Sequence, residues 1–178
     1  MTDDGDGDDL SRVSALVRDV PDFPEPGVVF RDITPVLADG AAFTAVSVAL
    51  AALAGDADLV VGVEARGFLL GAAAALTAGT GIVPIRKAGK LPRVAASRRY
   101  DLEYGSATLE LPADVLRPGA RVLVVDDVLA TGGTAVAACD LVTGAGAEVV
   151  AFAAMIELAA LGGRAKLGAV PVHALLTY

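Results

Sequence analysis

The chain has 178 residues, of which 54% are hydrophobic and only 4% aromatic, and it carries a formal net charge of −8. This length fits one domain whose core is built mainly from Ala, Val and Leu. The acidic balance, with no basic stripe, argues against a nucleic acid partner, and the single cysteine, Cys139, excludes a disulfide framework and a cysteine-based zinc site.

The first part of the chain is acidic and then Pro-rich. Five aspartates and two glycines among residues 1–9 predict a disordered tail ahead of a single domain over residues 10–178. Because this start is acidic rather than basic and apolar, it is no secretory signal, and we expect a cytoplasmic protein. Apolar residues at helical spacing from Leu10 to Val17 predict an amphipathic helix. Prolines predict a loop region over Pro21–Pro35, and a second helix is predicted over Phe43–Leu53.

The next segment is strongly apolar. A short run, Leu59–Val63, predicts a buried strand. The uncharged stretch Gly67–Ile85 approaches the length of a membrane-spanning helix. Its glycines, threonines and Pro84 favour instead a buried helix over Phe68–Ala78 and a buried strand over Ile82–Ile85. We therefore expect a soluble protein with no membrane partner.

A basic, irregular segment follows. Arg86–Arg99 contains Gly89 and Pro92, which predicts a mobile loop. Next, Tyr100–Tyr104 and Ala107–Leu111 are predicted to form hairpin strands joined across Gly105 and Ser106.

The last third alternates between strands and helices. A strand is predicted over Val122–Val125, a helix over Ala135–Val142, and further strands over Glu148–Ile156 and Val170–Leu176. Continuous apolar strands separated by helices indicate an α/β fold with a parallel sheet covered by helices on both faces. The only histidine, His173, is expected to be a packed or solvated residue rather than a catalytic one.

The junction after Val125 carries the strongest functional signal. Two carboxylates, Asp126 and Asp127, are followed by a small-residue turn at the start of a helix. The free backbone N–H groups and positive dipole of a helix N-terminus favour phosphate, and glycine lets the backbone approach it closely. Paired carboxylates suit sugar hydroxyls, so the segment predicts a clamp for ribose 5-phosphate. The phosphate would be bound by Ala130, Thr131, Gly132, Gly133 and Thr134. No Lys follows the glycines, so this is not a Walker loop.

Two other charged loops are predicted at the same edge of the sheet. Ligands of parallel sheets bind beyond the carboxyl ends of the strands, where Glu64–Gly67 follows one predicted strand and Arg86 with Lys87 follows the next. Cations there suit a diphosphate, and Arg66 and Lys87 are the candidates. The alternatives are a surface ion pair of Arg66 with Glu64, and solvated lysines at positions 87 and 90.

Five runs of the sequence resemble the adenine phosphoribosyltransferases of the type I phosphoribosyltransferase family. They are Phe23–Thr34, Glu64–Phe68, Arg86–Pro92, Tyr100–Gly105 and the Asp126–Thr134 junction. The resemblance implies a type I phosphoribosyltransferase fold with a small hood over about residues 20–36 and a flexible catalytic loop over about residues 86–106. The implied reaction transfers the 5-phosphoribosyl group of 5-phosphoribosyl 1-diphosphate to adenine N9, giving AMP and diphosphate. The alternatives are a xanthine or other 6-oxopurine substrate, or a non-catalytic nucleotide-sensing regulator.

The resemblance also implies roles for individual residues. Asp126 and Asp127 would bind the ribose hydroxyls. The catalytic residues would be Glu103, Arg66 and Tyr104. The adenine contacts would be Val29, Phe30 and Arg31. The diphosphate contacts would be Glu64, Ala65, Arg66, Lys87 and Lys90. Magnesium would be held mainly by the substrate rather than by protein ligands, and the protein would be a homodimer.

Overall fold

The computed structural model describes residues 5–101 and 105–178 of the chain. The chain divides into two compact units, Met1–Val48 and Ala49–Tyr178. The first unit has its own small two-stranded sheet. None of the helices in the described ranges is long and apolar enough to cross a membrane.

The first unit combines short helices with a two-stranded sheet. Its elements are α1 (Gly5–Leu16), β1 (Arg18–Pro21), β2 (Val29–Asp32) and α2 (Thr34–Ala38), and α3 (Gly40–Ala52) begins in it. The helix α1 begins at Gly5, inside the segment predicted as an acidic tail. The antiparallel pairing of β1 with β2 corrects the predicted loop over Pro21–Pro35 at Pro21 and Val29–Asp32. The apolar run between Gly27 and Asp32 is too short to signal a strand by itself.

The second unit alternates strands and helices. Its elements are β3 (Leu59–Val63), α4 (Arg66–Ala78), β4 (Gly81–Lys87), β5 (Val94–Asp101), β6 (Ser106–Pro112), β7 (Arg121–Leu129), α5 (Gly133–Gly144), β8 (Glu148–Glu157) and β9 (Val172–Thr177). Two short 3₁₀ helices, Ala159–Leu161 and Gly163–Leu167, connect β8 to β9.

These strands form one seven-stranded sheet in the order β5-β6-β4-β3-β7-β8-β9. The five strands from β4 to β9 in that order are parallel, and α4 and α5 lie against the sheet, which confirms the predicted α/β fold class. The strands β5 and β6 form an antiparallel hairpin at one edge. The mobile loop predicted over Arg86–Arg99 is wrong for Val94–Arg99, since these residues belong to β5. Charged side chains are common on an edge strand, so their presence did not exclude one.

The core of this unit consists of small and branched aliphatic side chains. Residues Val122–Val125 of β7 are fully buried, and Val122 and Val124 share a hydrophobic cluster with the buried Cys139 of α5. The approach of α4 to β3 depends on glycines, because a Cβ atom on Gly71 would lie 3.3 Å from the Cα atom of Gly62. This packing brings the first residues of α4 close to the end of β7.

Candidate active site

Three loops of the second unit start from one edge of the sheet. The strands β4, β3 and β7 are neighbours and run parallel, so the segments that follow them leave in the same direction. This arrangement agrees with the convergence expected for the loops after positions 63, 85 and 125. Contacts among the loops are observed, and they define the candidate site.

Asp126 and Asp127 are the buried carboxylates of this site, with residue exposures of 7% and 9%. They lie within β7, which continues to Leu129 because Leu129 still pairs with Glu157 of β8. The predicted strand end at Val125 is therefore four residues too early. The Oδ1 atom of Asp126 accepts a 2.8 Å hydrogen bond from the backbone N–H of Asp127. Burial raises the pKa of the Asp126 carboxyl well above its usual range, and the charge of Asp127 raises it further.

Arg66 joins the loop after β3 to these carboxylates. Its Nη2 atom lies 2.6 Å from Oδ2 of Asp127, whereas the ion pairs of Glu64 are with Arg86 and Lys90. Gly67 makes the approach possible, because a Cβ atom there would lie 2.9 Å from the carbonyl oxygen of Val125 and 3.0 Å from Oδ1 of Asp126. Only glycine allows this spacing without displacement of β7 or α4.

Glu64 contacts positive groups at the end of β4 and just beyond it. Its side chain is 7% exposed, and its carboxylate accepts a 2.5 Å hydrogen bond from Lys90 Nζ and a 2.9 Å bond from the backbone N–H of Lys87. The Nε atom of Arg86 lies 3.5 Å from Glu64 Oε2. Burial acts to raise the pKa of Glu64, but the hydrogen bonds from Lys90, Lys87 and Arg86 outweigh it and lower the pKa to about 2. The peptide bond between Glu64 and Ala65 is cis.

Arg86 is a site residue that sequence reasoning did not select. Its guanidinium carbon lies 5.9 Å from the ring centroid of Phe68, and Nη1 donates a 3.3 Å hydrogen bond to the carbonyl oxygen of Lys90. Its place beside Lys87, directly after a buried strand, was the available signal. The sequence alone could not show which of the two side chains faces Glu64.

The small-residue turn after β7 forms the start of α5, as predicted. Gly132 adopts a φ of 83° ahead of the first helical residue, Gly133, and its carbonyl oxygen accepts a 2.9 Å hydrogen bond from the N–H of Val136. A cleft of about 290 Å³ opens beside this helix start. Its lining residues are Arg98, Arg99, Tyr100, Gly133, Val136, Ala137, Asp140 and Lys166. The helix N-terminus and these basic side chains make the cleft suitable for an anion.

The residues predicted to contact adenine lie on β2 of the first unit. Phe30 packs edge-on against Phe23, with ring centroids 5.3 Å apart and an interplanar angle of 74°. Arg31 forms an ion pair with Asp19 of β1, and Val29 is 44% exposed. The predicted catalytic residues Glu103 and Tyr104 lie outside the described residues.

Acidic side chains do not form a cation cage in the part of the chain that the structure describes. No group of three or more His, Cys, Asp or Glu residues is placed there to hold a metal ion. Asp127 instead forms an ion pair with Arg66, and Glu64 forms one with Lys90. A divalent cation at this site would therefore need oxygen ligands from a substrate and from water.

Comparisons with known proteins agree on one family. A family model described as the phosphoribosyl transferase domain matches residues 33–168. The adenine phosphoribosyltransferase of Saccharopolyspora erythraea is 64% identical over 169 residues, which cover 95% of this chain and 92% of that protein. That of Kineococcus radiotolerans is 61% identical over 175 residues, with 95% of both chains covered.

Solved structures show the same similarity. The crystal structure of the adenine phosphoribosyltransferase from Rhodothermus marinus superposes with a TM-score of 0.90 at 47% identity, over 97% of this chain and 99% of that one. The enzyme from Saccharomyces cerevisiae, solved in complex with an imino-altritol bisphosphate and adenine, also gives a TM-score of 0.90, at 35% identity, over 95% of this chain and 99% of that one.

Proposed function

The chain belongs to the phosphoribosyl transferase family, and from this membership we propose that it transfers the 5-phosphoribosyl group of 5-phosphoribosyl 1-diphosphate to adenine N9. The products are AMP and diphosphate, and the reaction is one of purine salvage. The observation that carries the choice of adenine is the 64% identity, over nearly the whole chain, to a protein named for that activity. The buried carboxylates, the glycine-rich helix start and the cationic loops supply groups that suit each part of the sugar substrate.

Asp126 and Asp127 are proposed to bind the two ribose hydroxyls. Both carboxylates are buried within the last four residues of β7, where a hydrogen bond from a ribose hydroxyl would be strong because the local dielectric is low. Next to them, the backbone N–H groups of Ala130–Thr134 are proposed to bind the 5-phosphate. This assignment is supported by the N-terminus of α5, which starts at Gly133 and favours an anion through its dipole and its free donors.

The leaving diphosphate is proposed to bind at Glu64, Ala65, Arg66, Lys87 and Lys90. Arg66, Lys87 and Lys90 supply positive charge, which accelerates the reaction to the extent that it stabilises charge developing on the leaving group. Glu64 is itself negative, and the hydrogen bond from Lys90 supports a contribution of Glu64 to the diphosphate site through the cations that it orients.

Adenine is proposed to contact Val29, Phe30 and Arg31, on the strength of the sequence resemblance in this segment. Glu103 is proposed to exchange a proton with the purine, and Tyr104 to cover the diphosphate. Adenine N9 then attacks the anomeric carbon, the bond to diphosphate breaks, and the cation-like sugar is stabilised by neighbouring oxygens. Exclusion of water from this step prevents hydrolysis of the sugar.

Magnesium is the proposed cofactor, and it is expected to arrive with the sugar diphosphate. The donor set supports this route, because Asp127 is ion-paired with Arg66 and Glu64 accepts a hydrogen bond from Lys90. Bound to the substrate, the ion would neutralise charge on the departing diphosphate.

A homodimer and a cytoplasmic location complete the proposal. The dimer is supported by the family resemblance alone. The location is supported in the same way, by the family resemblance.

The test is product formation with magnesium, 5-phosphoribosyl 1-diphosphate and a single base. Adenine, hypoxanthine, guanine and xanthine are supplied separately, and the nucleotides are resolved by chromatography. AMP from adenine with no product from the other bases is the expected result. Product from an oxopurine would overturn the base assignment while leaving the sugar site in place, and no product with any base would overturn the activity.

A further inference from the structure

The turn after β8 touches the proposed phosphate loop, backbone against backbone. Gly163 is buried, and a Cβ atom on it would overlap the carbonyl oxygen of Ala130 and lie 2.8 Å from the nitrogen of Gly132. In the opposite direction, a Cβ atom on Gly132 would lie 2.6 Å from the carbonyl oxygen of Gly163. Neither glycine can carry a side chain without moving the other segment.

Arg164, the next residue, attaches this turn to the sheet. Its Nε atom donates a 3.0 Å hydrogen bond to Glu157 Oε1, and Nη2 donates to Oε2 of the same carboxylate. Its Nη1 atom donates to the carbonyl oxygen of Val172 at the start of β9. A bidentate arginine–carboxylate pair restrains both position and angle.

Glu157 connects the turn to the strand that leads into the loop. It is 7% exposed at the end of β8 and pairs across the sheet with Leu129, the last residue of β7 before the phosphate loop. The loop is therefore held in two ways. It continues directly from Leu129 of β7, and it packs against Gly163, which the Arg164–Glu157 pair attaches to β8.

A glycine-rich loop needs such support. Gly132 and Gly133 allow the backbone to approach a phosphate, but glycine also leaves the backbone free to adopt other conformations. Binding groups must be held within a fraction of an ångström by residues around them to act on a transition state. In this region the contact with Gly163 supplies that restraint.

We propose that the Gly162–Arg164 turn fixes the shape of the phosphate loop, with Gly163 as a positioning residue and the Arg164–Glu157 ion pair as its clamp. This inference rests on the proposed function, since it takes the loop as the 5-phosphate site. It predicts that a side chain at Gly163, or loss of the Arg164–Glu157 pair, weakens binding of the sugar phosphate and leaves binding of diphosphate, assigned to the Glu64–Arg66 loop, unaffected.

The test compares Gly163→Ala with Gly162→Ala by calorimetric titration of ribose 5-phosphate and, separately, of inorganic diphosphate with magnesium. Gly162 has a φ of 65° and no atom within 4 Å of a Cβ position, so alanine there strains the same turn without touching the loop. We expect Gly163→Ala to weaken ribose 5-phosphate binding about 10- to 100-fold. Diphosphate affinity stays at the wild-type value in both variants, and Gly162→Ala keeps its ribose 5-phosphate affinity.

A second variant keeps the inference testable if Gly163→Ala does not fold. Arg164→Gln removes the clamp at a side chain that is 48% exposed, and it is expected to weaken ribose 5-phosphate binding selectively, with partial recovery in Arg164→Lys. Unchanged ribose 5-phosphate affinity in the folded variants, or equal weakening of both ligands, would overturn the inference. A wild-type protein that binds diphosphate but no ribose 5-phosphate would overturn the proposed sugar site, and this inference with it.

Discussion

The Nη2 atom of Arg66 lies 2.6 Å from Oδ2 of Asp127, so one ion pair joins the loop after β3 to the end of β7. The Asp127 side chain is only 12% exposed, and a pair this sheltered is screened little by salt. The guanidinium of Arg66 is thereby held at the carboxylates proposed to bind ribose. A change in either partner affects both the ribose and the diphosphate parts of the site.

Asp127→Asn tests this coupling. The amide keeps the size of the side chain. It removes the negative charge that holds Arg66 and that is proposed to accept a hydrogen bond from a ribose hydroxyl. We expect kcat/KM for the sugar diphosphate to fall about 10- to 100-fold, as for the loss of one charge-assisted hydrogen bond. The control is Asp56→Asn, since the Asp56 side chain is 79% exposed in its ion pair with Arg121. Wild-type kinetics in Asp127→Asn would contradict the assignment.

Asp126→Asn is expected to stabilise the protein while it lowers turnover. The folded-state pKa of Asp126 is raised above its ordinary value of 3.8, so the stability contributed by this carboxyl is complete below that value and is lost as the pH rises. Asparagine carries no charge to bury. We expect Tm at neutral pH to rise by about 2–4 °C, which corresponds to about 1 kcal/mol in the free energy of unfolding. The difference in Tm between the variant and the wild type should disappear near pH 4. Scanning calorimetry across this range measures it, and a Tm difference that is constant with pH would refute the cause.

Glu64→Gln is expected to destabilise the protein at neutral pH, in contrast to Asp126→Asn. The pKa of Glu64 is lowered from 4.5 to about 2, so its contribution to stability is present above pH 4.5 and is lost as the pH falls towards 2. The variant should lose on the order of 1–2 kcal/mol at neutral pH after allowance for solvent screening, and the difference should shrink in acid. Urea unfolding at a series of pH values gives the measurement.

The matched control for Glu64→Gln is Glu148→Gln, whose side chain is 59% exposed in an ion pair with Arg121. We expect little change in its unfolding free energy at any pH. A similar acid dependence in both variants would show that the lysine and arginine partners of Glu64 are not its source.

Gly67→Ala is expected to push the start of α4 away from Asp126 in β7. The new methyl group would lie 2.9 Å from the carbonyl oxygen of Val125 and 3.0 Å from Oδ1 of Asp126. A strain of this kind costs about 1–3 kcal/mol, and we expect kcat/KM to fall with it. Gly144→Ala is the control, because a Cβ atom at Gly144 meets nothing within 4 Å. Equal unfolding free energies for the two variants would show that α4 moves away without cost.

Glu103→Ala tests the proposed proton transfer. We expect turnover to fall about 10²- to 10⁴-fold, the usual contribution of a general acid or base, while AMP binding changes much less. Steady-state rates combined with AMP titration separate the two effects. A parallel loss of binding and turnover would point to a binding role instead.

The sequence predicts the parallel part of the fold better than its edge. The bounds of β3 were predicted without error, because Leu59–Val63 is a continuous apolar run between charged residues. The end of β7 was missed because Asp126 and Asp127 interrupt the apolar pattern, although the strand continues to pair with β8. The hairpin of β5 with β6 was predicted, but Val94–Arg99 of β5 was assigned to a loop because its arginines match a solvated loop as well as an exposed edge.

In the site, too, residues that are adjacent in sequence were easier to predict than contacts between distant ones. Asp126, Asp127 and the glycine-rich turn are adjacent in sequence, so their spacing alone indicates a sugar phosphate site. The contact of Gly163 with this turn joins positions about thirty residues apart, and no local pattern marks it. The choice of Asp127 rather than Glu64 as the partner of Arg66 likewise depends on packing between β7 and α4.

The buried Cys139 makes the helix behind the phosphate loop accessible to a chemical measurement. Burial raises the pKa of its thiol to about 12, with a further contribution from Asp140, so the reactive thiolate is scarce while α5 stays in place. It is the only cysteine of the chain. The rate of its alkylation in native protein therefore reports how often α5 opens, and a ligand that binds at the N-terminus of that helix should slow the labelling in proportion to its occupancy.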